Sequence, residues 1–224
     1  MATTRKANRL KEPVKVRTKK LADGSDCILL DVKTGSGSFM KTLDDSRLLA
    51  RTMVDIGMGA GGRTAALITN MDSPLGSAVG NSLEVIESVE ILKGKTSGDL
   101  WTVCRELSCR MLMLAGIGDK DECGRLVDEA VESGEALKRF EMMVKLQGGD
   151  VSYIEDTSKF RKASFSREVY APADGYITHM DSEKIGLTTV LLGAGREKKD
   201  DDINHAAGII IAAKTGDFVK RGEL

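Results

Sequence analysis

The residues best suited to hold a ligand form a glycine- and serine-rich turn directly after a short apolar run. Residues 27–32 show no polar alternation, as expected for a strand buried on both faces, and Lys33-Thr-Gly-Ser-Gly-Ser38 follows them. Backbone N–H groups of such a turn can hold a phosphate. The turn lacks the Gly-Lys-Ser/Thr ending of a P-loop and the spacing of a dinucleotide-binding motif. Phosphate contact and ordinary turn chemistry are therefore both open, although ligands of open α/β sheets collect at the carboxyl ends of strands.

Other patterns that could do chemistry are weaker. Asp31 lies inside the apolar run, where a carboxylate needs a partner, and Lys33 on the same strand face could supply it. A structural and a functional role of Asp31 are both open. The acidic residues 200–202 lack the spacing of a calcium loop and are typical of a solvated loop. The two histidines, His179 and His205, predict neither a Ser-His-Asp set nor a histidine-based zinc site.

The four cysteines show no Cys-x-x-Cys spacing, and three of them lie in helix-like sequence rich in Leu and Met. This pattern favours free thiols in a reducing cytosol over a metal or redox site. The cysteines are Cys27, Cys104, Cys109 and Cys123.

The composition excludes several functional classes. The chain has 224 residues, is 41% hydrophobic and 30% charged, and carries a net charge of -1, which predicts a folded protein and excludes a globally basic nucleic-acid binder. Aromatic residues make up only 4%, which disfavours a base-stacking surface. No apolar run approaches the roughly 20 residues that span a bilayer, and no signal peptide is recognised. We expect a cytoplasmic protein without membrane or nucleic-acid partners.

Positive charge is concentrated in the first twenty residues, which hold eight basic side chains and one acidic side chain, Glu12. The remaining residues carry 25 basic and 33 acidic side chains. Such an asymmetry can indicate a nucleic-acid arm, but no aromatic or glycine residues are interleaved here. Residues 1–20 are therefore a separate basic start whose role is open.

The elements that would position the glycine-rich turn alternate between strand and helix. Residues 44–56 have the apolar spacing of an amphipathic helix, residues 64–69 predict a second buried strand, and residues 78–92 predict another helix. This order predicts parallel βαβ units, hence an α/β fold with a partial parallel or mixed sheet and flanking helices. Residues 99–147 predict three more helices whose apolar faces pack on the sheet.

The pattern changes after Gly148-Gly149. Residues 151–165 are rich in Ser, Thr and Lys and predict a connecting segment, and short strand-like runs follow, one of them at residues 190–192. We predict an incomplete α/β domain over residues 21–150 and a small α+β, strand-rich domain over residues 165–224.

Four long motifs occur in register along the chain. They are Leu29-Leu-Asp-Val-Lys-Thr-Gly-Ser-Gly-Ser-Phe-Met-Lys41, Leu67-Ile-Thr-Asn-Met-Asp-Ser-Pro-Leu-Gly-Ser-Ala-Val-Gly-Asn-Ser-Leu-Glu-Val85, Val169-Tyr-Ala-Pro-Ala-Asp-Gly-Tyr176 and Ile185-Gly-Leu-Thr-Thr-Val-Leu-Leu-Gly-Ala-Gly-Arg196. Together they closely resemble the thymidine and pyrimidine-nucleoside phosphorylase family, over residues 19 to 224. Several motifs in unbroken order are a stronger signal than one glycine-rich turn.

The resemblance implies phosphorolysis, catalysed by a pentosyltransferase. In this family inorganic phosphate attacks the anomeric carbon of a pyrimidine nucleoside such as thymidine or uridine, and free base and a pentose 1-phosphate leave. The family implies a homodimer, phosphate as co-substrate, no organic cofactor, and a cleft that closes on the substrate.

Individual residues match family positions. Lys19 matches the lysine that contacts the pyrimidine carbonyl, where a cation would stabilise the departing base, although a solvated lysine in a basic tail is the alternative. Leu75, Ala78 and Glu87 match positions that hold a monovalent cation, potassium, in bacterial members through two carbonyls and one carboxylate. Ser38-Phe39 corresponds to a loop beside the base pocket.

The departures from the family pattern concern the substrate site. Lys15 stands where the family has a serine, and no family arginine is matched among residues 1–18. The Lys-x-Ser phosphate segment and its following Gly-Gly lie further upstream in the family and have no counterpart in register here. We therefore expect a C-terminal portion of a phosphorylase, truncated at both ends and inactive by itself. The alternative is a catalytically dead paralogue or fragment that acts as a scaffold or binding protein.

Overall fold

The computed structural model describes residues 24–224. They pack into two compact units, each discontinuous in sequence. Unit 1 extends to Asn70 and includes Val103–Val127, whereas unit 2 comprises Met71–Thr102 and Asp128–Leu224. The predicted domain limits follow the sequence continuously and stay a prediction, and the basic residues 1–20 lie outside the described part of the chain.

Unit 1 is built on a parallel pair of strands. Strand β1 (Cys27–Thr34) pairs with β2 (Arg63–Asn70) over its whole length, from Cys27 opposite Arg63 to Thr34 opposite Asn70. Helix α1 (Leu43–Gly59) connects the two strands, so that the predicted βαβ order is confirmed. In β1 and on one face of the helix, as the apolar spacing predicts, the buried apolar side chains are Ile28, Val32, Ala50 and Met53, and Cys109 and Cys123 are also buried in this unit.

Helix α1 begins at a side-chain cap. Thr42 Oγ1 accepts a hydrogen bond from Asp45 N at 3.2 Å and donates to Asp45 Oδ2 at 2.9 Å, which satisfies a free amide of the first turn. Asp44 and Asp45 also place negative charge at the positive end of the helix dipole. The helix therefore starts one residue before the predicted position.

Four helices of 12 to 18 residues follow β2 along the chain, and the last three lie close to the positions predicted within residues 99–147. The helix that begins at Lys120 is capped by Asp119, whose carboxylate accepts from the amides of Asp121 and Glu122 at 2.9 Å each. The helices after β2 are α2 (Asn81–Leu92), α3 (Gly98–Ala115), α4 (Lys120–Glu132), α5 (Glu135–Leu146) and the single turn α6 (Ser152–Glu155).

In unit 2 the predicted helix 78–92 begins later than expected. Its first two residues form strand β3 (Ala78–Val79), which pairs antiparallel with β5 (Ile209–Ile210). Gly80 separates β3 from α2 at a φ of 146°, where its hydrogen faces Ala207 O. A Cβ at Gly80 would lie 2.5 Å from that oxygen. The pairing partner is remote in sequence, which is why local periodicity did not predict the strand.

The C-terminal part of unit 2 contains only short strands. Strand β4 (Gly175–Tyr176) pairs antiparallel with β6 (Phe218–Val219). Helix α7 (Ser182–Thr189) continues into a π-helical turn over Val190–Ala194, so the predicted strand at residues 190–192 is wrong. An apolar run of three residues does not distinguish strand from helix, and the capping Asp181 had already started a helix.

The predicted fold class, α/β followed by a small α+β region, is confirmed by these helices with small parallel and antiparallel sheets. Within residues 24–224, no helix combines the length and the apolar character that crossing a membrane requires.

Candidate functional site

A turn in unit 2 brings the three predicted cation ligands together. The turn covers residues 74–78 and ends in β3, and Glu87 reaches it from the second turn of α2. Glu87 Oε1 accepts from Ser77 N at 2.6 Å and Oε2 accepts from Ala78 N at 3.1 Å. The carboxylate is therefore held against the backbone that carries the other two predicted ligands.

The Ala78 carbonyl faces the same side as this carboxylate. Ile211 N donates to Ser77 O at 2.7 Å, so Ser77 turns its carbonyl toward β5. In an antiparallel pair, successive residues turn their polar backbone groups to opposite edges. Ala78 therefore turns both its N–H and its C=O away from β5, toward the edge where Glu87 accepts the N–H.

Two further side chains hold the start of the turn. Asp99 Oδ1 accepts from Gly76 N at 3.1 Å, and Lys214 Nζ donates to Asp99 Oδ2 at 2.5 Å and to Pro74 O at 2.9 Å. The peptide groups on both sides of Leu75 are thus fixed by one Asp–Lys pair. Asp99 and Lys214 could not be identified from the sequence, because neither lies in a recognisable pattern and they are 115 residues apart.

Gly76 leaves the space that the carboxylate occupies. Its φ is +74°, and a Cβ at this position would lie 2.5 Å from Glu87 Oε2 and 2.9 Å from the carboxyl carbon. Only glycine combines this backbone conformation with so close an approach. The turn is therefore a cradle for the Glu87 carboxylate.

The donor set of this turn suits a hard monovalent cation. Carbonyl and carboxylate oxygens are the ligands that such ions take in proteins. Within residues 24–224 the Glu87 carboxylate accepts from two N–H groups, and a carboxylate has lone pairs for more. The positions of Ala78 and Glu87 fit the predicted set, and Leu75 lies in the fixed part of the turn. Among residues 24–224 no cluster of three His, Cys, Asp or Glu side chains could hold a metal ion, so carbonyl oxygens have to contribute.

The glycine-rich turn of unit 1 is closed on itself. Gly35 N donates to Met40 O at 3.0 Å, and Ser38 N donates to Gly35 O at 3.1 Å. Ser38 Oγ donates to Met40 O at 2.5 Å. The helix after the turn is capped by Thr42. These donors are occupied by the chain, which favours turn chemistry over phosphate binding at Gly35 and Ser38.

Asp31 has the partner that the sequence predicted, and a second one. Lys33 Nζ lies 2.6 Å from Asp31 Oδ2 and 2.9 Å from Thr69 Oγ1, and Thr69 Oγ1 donates to Asp31 Oδ1 at 2.5 Å. The three side chains form a closed network across β1 and β2. Asp31 is an exposed residue of β1, in which only Ile28 and Val32 are buried, so the predicted burial of this strand on both faces is wrong. The network holds the exposed Asp31 carboxylate without a ligand.

For the other residues that the sequence predicts at a site, the structure gives less information. Lys19 lies outside the described residues. Phe39 is 88% exposed, so none of the described residues of unit 1, 24–70 and 103–127, covers it. All four cysteines are free thiols, and burial raises the pKa of the Cys123 thiol, which disfavours the thiolate that a metal would need.

Comparison with known proteins supplies the family. The model of the glycosyl transferase family, a/b domain, matches residues 6–137, and that of the pyrimidine nucleoside phosphorylase C-terminal domain matches residues 176–224. The pyrimidine-nucleoside phosphorylases of Staphylococcus aureus strains bovine RF122 / ET3-1 and USA300 are each 44% identical over 209 residues, which cover 93% of this chain and 48% of the relative. The chain thus spans about half the length of the curated relatives it matches.

The two matched domains and the continuous 44% identity confirm the resemblance that the four motifs predicted. The chain belongs to the pyrimidine-nucleoside phosphorylase family, within the glycosyl transferase family whose a/b domain it contains.

Proposed function

We propose that this chain contributes to a pyrimidine-nucleoside phosphorylase, a pentosyltransferase that cleaves thymidine or uridine with inorganic phosphate. The observation that carries the proposal is the 44% identity to pyrimidine-nucleoside phosphorylases across both matched domains. Phosphorolysis needs an oriented phosphate and donors that stabilise negative charge on the departing base. Lys19 is proposed as the donor to the pyrimidine carbonyl, because it matches the family lysine at this position.

The turn over residues 74–78 is proposed to hold potassium. The carbonyl oxygens of Leu75 and Ala78 and the Glu87 carboxylate would be its ligands on this chain. The support is the fixed position of Glu87 against Ser77 N and Ala78 N, and the strand alternation that directs the Ala78 carbonyl to the same edge. The ion would supply fixed positive charge that orders the turn.

Two further parts of the proposal rest on the family alone: the protein would act as a homodimer and without an organic cofactor. The proposed cytoplasmic location rests on the pattern of free cysteines. The 224 residues by themselves are proposed to release little or no base, because they match only 48% of their relatives and the family's phosphate segment has no counterpart in register.

The proposal can be tested by supplying the part of the Staphylococcus aureus relative that this chain does not cover. The 224-residue chain would be fused to the uncovered part of the Staphylococcus aureus relative and incubated with uridine or thymidine and phosphate. We expect phosphate-dependent release of free base from the fusion, and background release from the chain alone. In the fusion, Lys19→Met should lower kcat/KM by about 100- to 1,000-fold because a donor to developing charge is lost.

Lys20→Met is the matched control, since it removes the adjacent charge but not the matched one. A folded fusion without base release would contradict the phosphorylase proposal and favour a binding role. Robust base release from the 224-residue chain alone would contradict its proposed inactivity.

A further inference from the structure

One Asp–Lys pair controls the orientation of the peptide group that carries the Leu75 carbonyl. The Leu75 C=O and the Gly76 N–H belong to one planar peptide unit, and no cis peptide occurs in residues 24–224. In a trans peptide these two groups point in opposite directions. Because Asp99 Oδ1 accepts the Gly76 N–H at 3.1 Å, the Leu75 carbonyl must point away from Asp99.

The second contact of the pair fixes the preceding peptide. Lys214 Nζ donates to Pro74 O at 2.9 Å and to Asp99 Oδ2 at 2.5 Å, so the ammonium joins the carboxylate to the other side of Leu75. The pair therefore restrains the peptide planes before and after Leu75. Rotation of the Leu75 carbonyl requires breaking a charge-assisted hydrogen bond.

We propose that Asp99 and Lys214 are positioning residues for the cation turn, which aim the Leu75 carbonyl at the ion held with Ala78 and Glu87. This inference rests on the cation site of the proposed function. It also joins the two matched domains, because Asp99 lies in residues 6–137 and Lys214 in residues 176–224. A residue of the C-terminal domain thereby sets the geometry of a site whose ligands all lie in the a/b domain.

The exposure of the pair distinguishes positioning from general stabilisation. The Lys214 side chain is 23% exposed and that of Asp99 is 45% exposed. Ion pairs that reach solvent contribute little to folding, so removing this one should change the stability of the ion-free protein little. Loss of a group that orients a metal ligand typically lowers metal affinity by about 10-fold or more.

The experiment measures the thermal unfolding of the 224-residue chain against potassium concentration. Choline chloride keeps the ionic strength constant, so only the specific ion changes. The wild-type Tm should rise with potassium, and Glu87→Gln should abolish the rise. Lys214→Met and Asp99→Asn should each raise the potassium concentration at the midpoint of the Tm rise by about 10-fold. Lys214→Arg should restore most of the affinity, because it keeps the charge and the donors.

Lys184→Met is the matched control, since it breaks an exposed Lys–Asp pair with Asp181 in the same unit. Its potassium midpoint should equal that of the wild type. The inference is overturned if Lys214→Met and Asp99→Asn respond like Lys184→Met, or if the wild-type Tm does not respond to potassium. If circular dichroism shows that Lys214→Met does not fold, the potassium midpoints of Asp99→Asn and Lys214→Arg test the inference instead.

The base-release assay of the fusion separates this inference from the proposed function. Shifted potassium midpoints without base release would support the positioning role and contradict phosphorolysis. Base release with unshifted midpoints would support phosphorolysis and overturn the positioning role.

Discussion

The turn at residues 35–40 in unit 1 and the turn at residues 74–78 in unit 2 are held in opposite ways. The first is closed by its own backbone and by Ser38, within five residues of sequence. The second is held by Glu87, Asp99 and Lys214, which lie up to 140 residues from the groups they bind. A turn that satisfies its own donors needs no ligand, whereas a turn held from outside can present carbonyl oxygens in a fixed geometry.

The largest effect that this difference predicts is at Gly76. In Gly76→Ala the new Cβ displaces Glu87 from two amides, which costs about 1–3 kcal/mol, in addition to about 1–2 kcal/mol for the left-handed conformation. Urea unfolding should show the loss of stability, and the potassium response of the Tm should disappear.

Gly148→Ala is the matched control for this variant. Gly148 has a φ of +80°, and a Cβ there would meet nothing within 4 Å. Gly148→Ala should therefore lose only the part of the stability that comes from the left-handed backbone conformation, and its Tm should still rise with potassium. Equal losses of stability in Gly76→Ala and Gly148→Ala would mean that the contacts of Glu87 with the turn do not stabilise the protein.

A smaller effect is expected in the self-closed turn. Ser38→Ala removes the hydrogen bond from Ser38 Oγ to Met40 O, which should lower the free energy of unfolding by about 1 kcal/mol. Urea unfolding measures this change, with the exposed Ser164→Ala as the control. The potassium midpoint should stay that of the wild type. A shifted midpoint in Ser38→Ala would contradict the independence of the two turns.

The smallest effect is expected at a local ion pair of unit 1. Arg110 Nε donates to Glu106 Oε1 at 2.6 Å, and this hydrogen bond lowers the pKa of Glu106. Because the folded-state pKa is lowered, the stabilisation is fully present above the unfolded pKa of Glu, near 4.5, and is lost as the pH falls below it. Arg110→Met should thus lower the free energy of unfolding by about 0.3–0.5 kcal/mol at neutral pH, and by less in acid.

Urea unfolding of the wild type and of Arg110→Met at pH 7 and about pH 3 measures this difference. Arg125→Met, which changes an exposed arginine of the same unit, is the control. A cost that grows in acid would contradict the assigned direction of the pKa shift.

The elements of unit 1 could be predicted because their signals are local. The apolar run before Lys33, the helical spacing before Ile56 and the following glycines each act within a few residues, and the structure places β1, α1 and β2 there. Strand β3 could not be predicted in this way, because Ala78 and Val79 are extended only through pairing with residues 209–210.

The residues of the candidate site also differ in whether local sequence signals identify them. Leu75, Ala78 and Glu87 were identified from a resemblance in one continuous motif and its neighbouring helix. Asp99 resembled an ordinary first-turn acidic residue of a helix, and Lys214 was one of 33 basic residues, so only the folded chain could associate them. Contacts between residues distant in sequence have no signature in periodicity or spacing.

The 140 residues between Pro74 and Lys214 also determine the order of events while the chain is being made. Ribosomes add about 5–20 residues per second, so the ammonium emerges roughly ten seconds after the proline it binds. During that interval Glu87 can already hold the nascent turn, but Lys214 cannot yet bind Pro74 O. Its final shape is therefore acquired only after Lys214 has been synthesised.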